Sequence, residues 1–481
     1  MISTGNYGKY DTSLEFSDWR FSAAAVGIMK YLQYNDMDFY IYDYDDDEEN
    51  DYEYKKDAIY YNKKDILDEN KYLDFAEHFF SDKFHHKRVI ALLDSDNFDT
   101  EKIKKINDTL KANVIMKKIF ANIKFNGENK DEIINLIQDN RYEIIKETYR
   151  NAKSMYANFC NINSIFSNSQ EICRLLGYNV DLGKKKKSLG FNWNYDTYVY
   201  NDVFEFDYIP FAFTRTRDVF FINNNFNAKE LLKSNENIDL NYFNDNEKKN
   251  MRKELFFSSS KNAKYIDYEV EIISKQREYD YFETMFIRDE AIRIFNAIDD
   301  MKDENIVNAL SNPCKYGKLD YLPILNMIVD SIINLLHLDP VIDKLLKDVE
   351  NEHGYLISQL IRINILLYKE NYETMENKGD KSNKIARVIA TANEVNKKLR
   401  IDKSNKIISY KNKLISCLVF KDYDRFCSIL LQLATYSSVS FGFAYDLFED
   451  FEKNKNLAYA FVNALNYKEL GQNKEENKNE K

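Results

Sequence analysis

The hydrophobic positions change their period along the chain. From residue 18 to 34, Phe21, Ala24, Ala25, Ile28, Met29 and Leu32 recur at helical spacing, and Ser17 or Asp18 can cap the start. Residues 38–44 and 58–61 alternate loosely about an acidic stretch, which predicts a β-hairpin with a long tip. Residues 64–84 and 100–158 read as helical. Residues 198–226 are rich in Val, Phe, Tyr and Ile and poor in helix formers, so two or three strands are expected there. Residues 264–286 read as a second β segment and 288–298 as a short helix. After Pro323 the period is helical at 324–338, 341–350, 355–371, 385–400, 406–419, 423–435 and 457–465, with Pro340 at a helix start, where it is tolerated. The expected fold class is α+β. A mixed N-terminal domain of small antiparallel sheets and helices spans 1–322, an all-α helical bundle spans 323–470, and the polar residues 471–481 form a disordered tail.

Composition narrows the functional classes. Of 481 residues, 44% are hydrophobic and 31% charged, enough for a sizeable core and too apolar for global disorder. The 36 Tyr and 33 Phe stand beside 12 Gly and 4 Pro. A codon bias toward A and T accounts for that, so aromatic richness is not read as a functional signal. Scarce glycine disfavours phosphate loops, dinucleotide fingerprints and propellers, and neither a Walker motif nor a G-x-S-x-G elbow occurs. No apolar run reaches the ~20 residues of a membrane span. The opening Met1-Ile2-Ser3-Thr4-Gly5 lacks the features of a signal peptide, and five scattered cysteines fit a reducing compartment, so a cytoplasmic location is expected.

Charge is uneven. The net value of −11 argues against a nonspecific nucleic-acid coat. Residues 36–57 hold eleven acids against Lys55 and Lys56, whereas 378–413 hold eleven Lys or Arg against Asp380, Glu394 and Asp402. Within the basic region, Lys384, Arg387, Lys397, Lys398 and Arg400 fall on one helix and Lys406, Lys411 and Lys413 on the next. Two neighbouring basic helices can line a groove for nucleic acid, or simply form a solvated bundle face. Lys184, Lys185, Lys186 and Lys187 precede an aromatic run in which Asn192 and Trp193 could reach a groove edge or stack on a base. Arg215 and Arg217, two apart in the β segment, would share a strand face and could track a backbone, or form ordinary salt bridges.

Other chemistry finds less support. His85 and His86, with His78 seven residues earlier, lack the His-Asp neighbours of an HD-type nuclease and read as a helix-end pair on the surface. Cys160 and Cys173 stand singly where a zinc site wants pairs, and read as unpaired buried cysteines. The acidic stretch 43–51 lacks the glycine and terminal glutamate of an EF-hand loop. No catalytic residue, metal or cofactor is expected, and the protein is not expected to be an enzyme.

Four segments, in order, carry a resemblance. Ser17-Asp18-Trp19-Arg20 through Leu32 is similar to a DW-x-x-x-A-x-x-G-x-x-x-x-L opening. Cys160 and Cys173, followed by Leu182-Gly183, look like a decayed CXXC–CXXC zone, a degenerate zinc-type insert near 158–195. Residues 411–431, with Tyr423-Asp424-Arg425-Phe426, resemble a D-x-x-x-F-x-x-x-L-L helix pair, although Gln432 replaces its final basic residue. Residues 442–465 resemble a closing GYAF-x-x-GL segment. The chain therefore resembles the large subunit of subtype I-B CRISPR surveillance (Cascade) complexes, in the group named for its CXXC–CXXC motif. The resemblance implies a non-enzymatic subunit that recognises the protospacer-adjacent motif in double-stranded DNA, stabilises the displaced strand and recruits the helicase-nuclease. It implies CRISPR RNA and the backbone subunits as partners, with no membrane. In related systems the helical part is also made separately from an internal start, for which Met327 and Met375 are candidates. The rival reading is a helical scaffold without nucleic-acid binding. A nuclease built on His78, His85, His86 and the acidic loop has no ligand spacing to support it.

Overall fold

Asp18 accepts a hydrogen bond from the Arg20 amide at 2.9 Å and pairs with the Arg20 guanidinium at 2.6 Å, so one carboxylate starts the helix α1 (Trp19–Tyr34). The computed structural model describes residues 1–42, 54–95, 97–167, 174–176, 202–215, 218–225, 227–242, 269–276, 281–300, 310, 313–348, 350–372, 380–400 and 404–466. Described residues up to 242 together with 269–287 pack as one compact unit, and those from 288 to 466 as a second. The architecture is α+β, as the sequence predicts.

In the first unit β1 (Ile2–Tyr7), β2 (Tyr10–Glu15), β3 (Phe39–Ile41) and β4 (Ala58–Tyr61) form an antiparallel sheet in the order β1-β2-β4-β3. The expected hairpin at 38–61 is present as β3 and β4; its acidic tip lies outside the described residues. The β1–β2 hairpin has no counterpart in the sequence reading, because Ser3, Thr4, Gly5 and Asn6 break the alternation of apolar positions. Helices α2 (Glu69–Phe79), α3 (His85–Leu93), α4 (Thr100–Thr109), α5 (Val114–Ile119), α6 (Lys130–Asp139) and α7 (Arg141–Asn151) follow. A 3-10 segment, Phe204–Phe211, leads to β5 (Asp218–Asn223), α8 (Ala228–Tyr242), β6 (Val270–Gln276) and β7 (Glu283–Ile287). The last three strands form an antiparallel sheet ordered β5-β6-β7.

The strands expected at 198–226 are corrected to this 3-10 segment and one strand. Phe204-Glu205-Phe206-Asp207-Tyr208 alternates like a half-exposed strand, yet residues 205–211 are all buried. Pro210 lacks the N–H a central strand would donate. The acids meet partners inside the protein instead of water. Glu205 accepts from the Tyr61 hydroxyl at 3.2 Å and pairs with Lys63. Asp207 accepts from the Tyr156 hydroxyl at 2.5 Å, Arg174 Nε at 2.8 Å and the Phe166 amide at 3.2 Å. Burial pushes the Asp207 carboxyl up to about 6 despite the Arg174 guanidinium beside it.

Tyr31, Tyr72, Phe75, Tyr149, Tyr208 and Phe211 meet largely edge-to-face around this segment. Whatever its codon origin, the aromatic content builds this core. α1 packs closely against the same segment, because at Gly27 an added Cβ would stand 2.0 Å from the Tyr208 carbonyl oxygen. A second apolar cluster, including Val89, Ile106, Phe120, Phe125 and Ile137, joins α3 to α6.

His86 is not on the surface. It is buried, and its Nε2 lies 2.5 Å from Glu77, which also pairs with Arg141. Arg141 reaches Asp74 at 2.7 Å. Burial alone would raise the Glu77 carboxyl, but hydrogen bonds from His86 and Arg141 outweigh it and hold the group down to about 2.

The second unit opens with α9 (Asp289–Asp300) and the two-stranded β8 (Cys314–Tyr316) and β9 (Asp320–Leu322). Its helices are α10 (Ile324–Ile333), α11 (Asp339–Leu346), α12 (Gly354–Tyr372), α13 (Asp380–Arg400), α14 (Ser404–Val419), α15 (Tyr423–Ser437), α16 (Ala444–Glu449) and α17 (Phe451–Ala464). α17 packs against α12 and α13. Around the start of α11, Asp339 accepts from Asn364 at 2.9 Å and Tyr368 at 3.0 Å, and takes the buried Lys455 ammonium at 3.2 Å. Three helices are thereby tied through one carboxylate.

Two outcomes follow. Gly27→Ala gains ~1 kcal/mol of helix propensity but forces a methyl into backbone, a kind of overpacking that costs ~1–3 kcal/mol or more. The first unit should melt several degrees lower in calorimetry; an unchanged transition would mean that α1 can slide off the 204–211 segment. Glu77 is held below its ordinary value, so it stabilises the fold fully above its ordinary carboxylate range, and that contribution drains as pH falls toward 2. Glu77→Gln should cost about 3–5 kcal/mol near neutrality, and denaturant titrations should find the gap from wild type narrowing below pH 5.

Candidate nucleic-acid interface

The structure separates the cations picked out by sequence. Lys184, Lys185, Lys186, Lys187, Asn192, Trp193 and Arg217 lie outside the described residues, as does the Arg400 side chain. Arg215 is not on a strand face. Thr214 and Phe220 exchange hydrogen bonds at 3.1 Å, which folds 214–215 back on β5 as a turn. The Arg215 guanidinium donates to the Phe79 carbonyl at 2.8 Å and lies over the Phe79 ring. It braces the fold.

On α13, Val388, Ala392, Val395 and Leu399 are buried, so the opposite side meets solvent. Arg387 and Lys397 are exposed there and pair with no carboxylate among the described residues. Lys398 is exposed too, three turns beyond Arg387 and about 16 Å along the axis. It is shared between Glu394 at 3.3 Å and the Ser438 carbonyl at 2.9 Å. Lys384 is drawn away, 3.1 Å from Asp446.

On α14, Ile407, Leu414 and Leu418 face inward. Lys406 and Lys413, seven residues apart, repeat on one exposed stripe and lie over the Tyr436 and Tyr410 rings. Lys411 points elsewhere. Its ammonium donates at 2.8 Å to the carbonyl of Leu465, the cap of α17, and burial pushes its pKa down. Of the predicted cations, those that pair with no carboxylate among the described residues are therefore Arg387, Lys397, Lys406 and Lys413.

A second basic surface was missed in the sequence. In the first unit, Lys83, His85, Arg88, Lys118 and Arg150 line a cleft of about 890 Å³ with Glu143 and Glu147. Lys118 pairs with Glu143 at 3.1 Å and Arg150 with Glu147 at 3.2 Å. Lys83 and Arg88 donate to carbonyl oxygens, of Ser154 and Asp82 respectively. Four permanent cations thus face two carboxylates. Burial, with Arg88 nearby, pushes His85 below its ordinary value and so disfavours its charged form. The sequence signal was the run His85-His86-Lys87-Arg88 at a helix start, read for metal rather than for charge.

Around Cys160 the described contacts are hydrogen bonds and ion pairs. The thiol is buried, burial pushes its pKa far up, and it donates weakly to the Phe206 carbonyl. Beside it Arg174 bridges Asp207 and Asp202, the latter at 3.0 Å, and donates to the Ser164 carbonyl at 3.1 Å. Cys173 lies outside the described residues. Among the described residues no group of three His, Cys, Asp or Glu could hold a metal ion, and no helix is long and apolar enough to cross a membrane.

No curated protein matches the chain, and no solved structure does. A family model described as CRISPR-associated protein Csx8 matches residues 10–252 and 230–465, running through both compact units. That match carries the CRISPR assignment without singling out the subtype I-B group. The chain belongs to the CRISPR-associated Csx8 family.

Proposed function

We propose that the chain is the large subunit of a type I-B CRISPR RNA-guided surveillance complex. In this reading it has no catalytic centre. It recognises the protospacer-adjacent motif in duplex DNA, holds the displaced strand and recruits the helicase-nuclease, while guide pairing reads the sequence. Its partners are CRISPR RNA, the backbone subunits of the complex and target DNA. The observation that carries the reading is the exposed side of α13, where Arg387 and Lys397 stand in an acidic chain with no carboxylate partner among the described residues. Unneutralised guanidinium and ammonium groups on a rigid helix suit a phosphate backbone, since binding releases condensed counterions. Exposed Phe420 and Tyr445, with Leu431 and Phe448, further suit a chain that works against other subunits.

Arg387→Ala, Lys397→Ala and Lys413→Ala combined should lower the slope of log affinity for single-stranded DNA against log salt by about 0.7 per lost phosphate contact. An unaltered slope would make this face merely solvated. Alanine at Lys184, Lys185, Lys186 and Lys187 should weaken motif-dependent duplex binding at every salt concentration, and unchanged binding would remove these residues from the interface. Purification of the tagged chain from its host, with sequencing of bound RNA, tests the whole reading. Short RNAs sharing a repeat-derived 5′ end would support it, whereas a single protein partner without RNA would favour a scaffold.

A further inference from the structure

A thiol, an imidazole and a carboxylate stand in line at the foot of the β8–β9 hairpin. After α11 the chain folds back so that Asp348 accepts from the Gly317 amide at 3.1 Å, Asn351 Nδ2 at 2.9 Å, the Glu350 amide at 3.0 Å and His353 Nε2 at 2.8 Å. On the other side of the same ring, His353 Nδ1 lies 3.5 Å from Cys314 Sγ. The carboxylate can only accept, so Nε2 carries the ring hydrogen. In its neutral form the ring then presents a lone pair at Nδ1, within reach of the Cys314 S–H, which also lies 3.5 Å from the Lys315 carbonyl. Burial opposes ionisation of Asp348, but its four hydrogen bonds hold it well below the usual carboxylate range, so it keeps this tautomer.

The His353 and Asp348 side chains are only 7% and 2% exposed, which fixes the ring, while Cys314 is partly open to solvent. Burial and the Asp348 charge push the Cys314 thiol up, so it rests as S–H and needs a base at the moment it reacts. The other described cysteines lack this arrangement. Cys160 and Cys417 are buried, and Cys427 has comparable exposure but no imidazole beside it among the described residues.

We propose that Cys314 is a site of reversible mixed-disulfide formation with small-molecule disulfides, with His353 as its base and Asp348 as the group that positions the base. Sγ attacks one sulfur of R–S–S–R, the S–S bond breaks, and RS⁻ leaves. The Cys314 proton passes to Nδ1 and then to RS⁻, so protein–SH and RSSR become protein–S–SR and RSH. Cys314 is oxidised and the departing sulfur reduced. The adduct would sit on a strand whose turn, at Gly317 with φ +60°, is bonded to the same Asp348. Thiol modification therefore bears directly on a hairpin whose tip carries Leu319, 88% exposed, and whose second strand carries Tyr321.

The full chain, reduced and freed of reductant, is incubated with glutathione disulfide and followed by peptide mass spectrometry. Cys314 should gain glutathione at least tenfold faster than Cys427 in the wild type. His353→Gln should slow Cys314 at least tenfold, leaving Cys427 unchanged, and Asp348→Asn should slow it by a smaller factor. Equal rates at Cys314 and Cys427 in the wild type would overturn the proposal without any variant. So would a Cys314 rate untouched by His353→Gln in protein whose Cys160 and Cys417 stay unlabelled, the sign that it is folded.

Discussion

The close approach of two backbones at Gly27 governs the first unit. A helix and a 3-10 segment can lie this near only if one position has no side chain, and Tyr208 occupies the space a methyl would take. From that place the residues beside Tyr208 reach outward in several directions. Glu205 meets β4 through Tyr61, the Asp207 carbonyl takes the Tyr72 hydroxyl of α2, and the Tyr208 hydroxyl reaches the Ile66 carbonyl. Asp207 itself draws Arg174 and Tyr156 into the interior, where an unpartnered carboxylate would be very costly. The segment works as a hub because it alternates aromatic packing with acids whose partners come from distant parts of the chain.

That construction also explains what could be read in advance. α1 was legible because Asp18 and the Ala-rich, Leu- and Met-bearing face are local signals, and the bundle helices because their period survives one-sided burial. Residues 204–211 were not, since their alternation of aromatics and acids mimics a half-exposed strand while the acids find their partners inside the protein. Among the basic residues, linear charge picked out Arg387 and Lys397, which α13 exposes to solvent. It could not foresee that Lys411 would cap a helix 54 residues away or that Arg215 would turn to Phe79, because the deciding acceptors are carbonyl oxygens remote in sequence. The cleft at Arg88 and Arg150 escaped because its cations are gathered from three separate stretches of chain, 83–88, 118 and 150.

An acidic chain in a CRISPR-associated family thus presents its positive charge in a few places and uses much of the rest internally. Lys63, Arg141, Arg174 and Lys455 are held to carboxylates with little exposure of at least one partner, where they set the fold. Cations on the α13 and α14 surfaces stand in solvent, and those of the α3–α7 cleft outnumber the two carboxylates that share it.

The order of strands in the second sheet bears on how the protein is made. β5 ends at Asn223 and its neighbour β6 begins only at Val270. A ribosome adding about 5–20 residues per second needs roughly 2–9 s to cross that gap. Throughout that interval the nascent chain carries Val219, Phe220, Phe221 and Ile222 on a strand with no partner, and another chain on the same messenger could pair with it. Slow translation through this stretch lengthens that exposure, and a chain terminated after α8 never receives its partner strand.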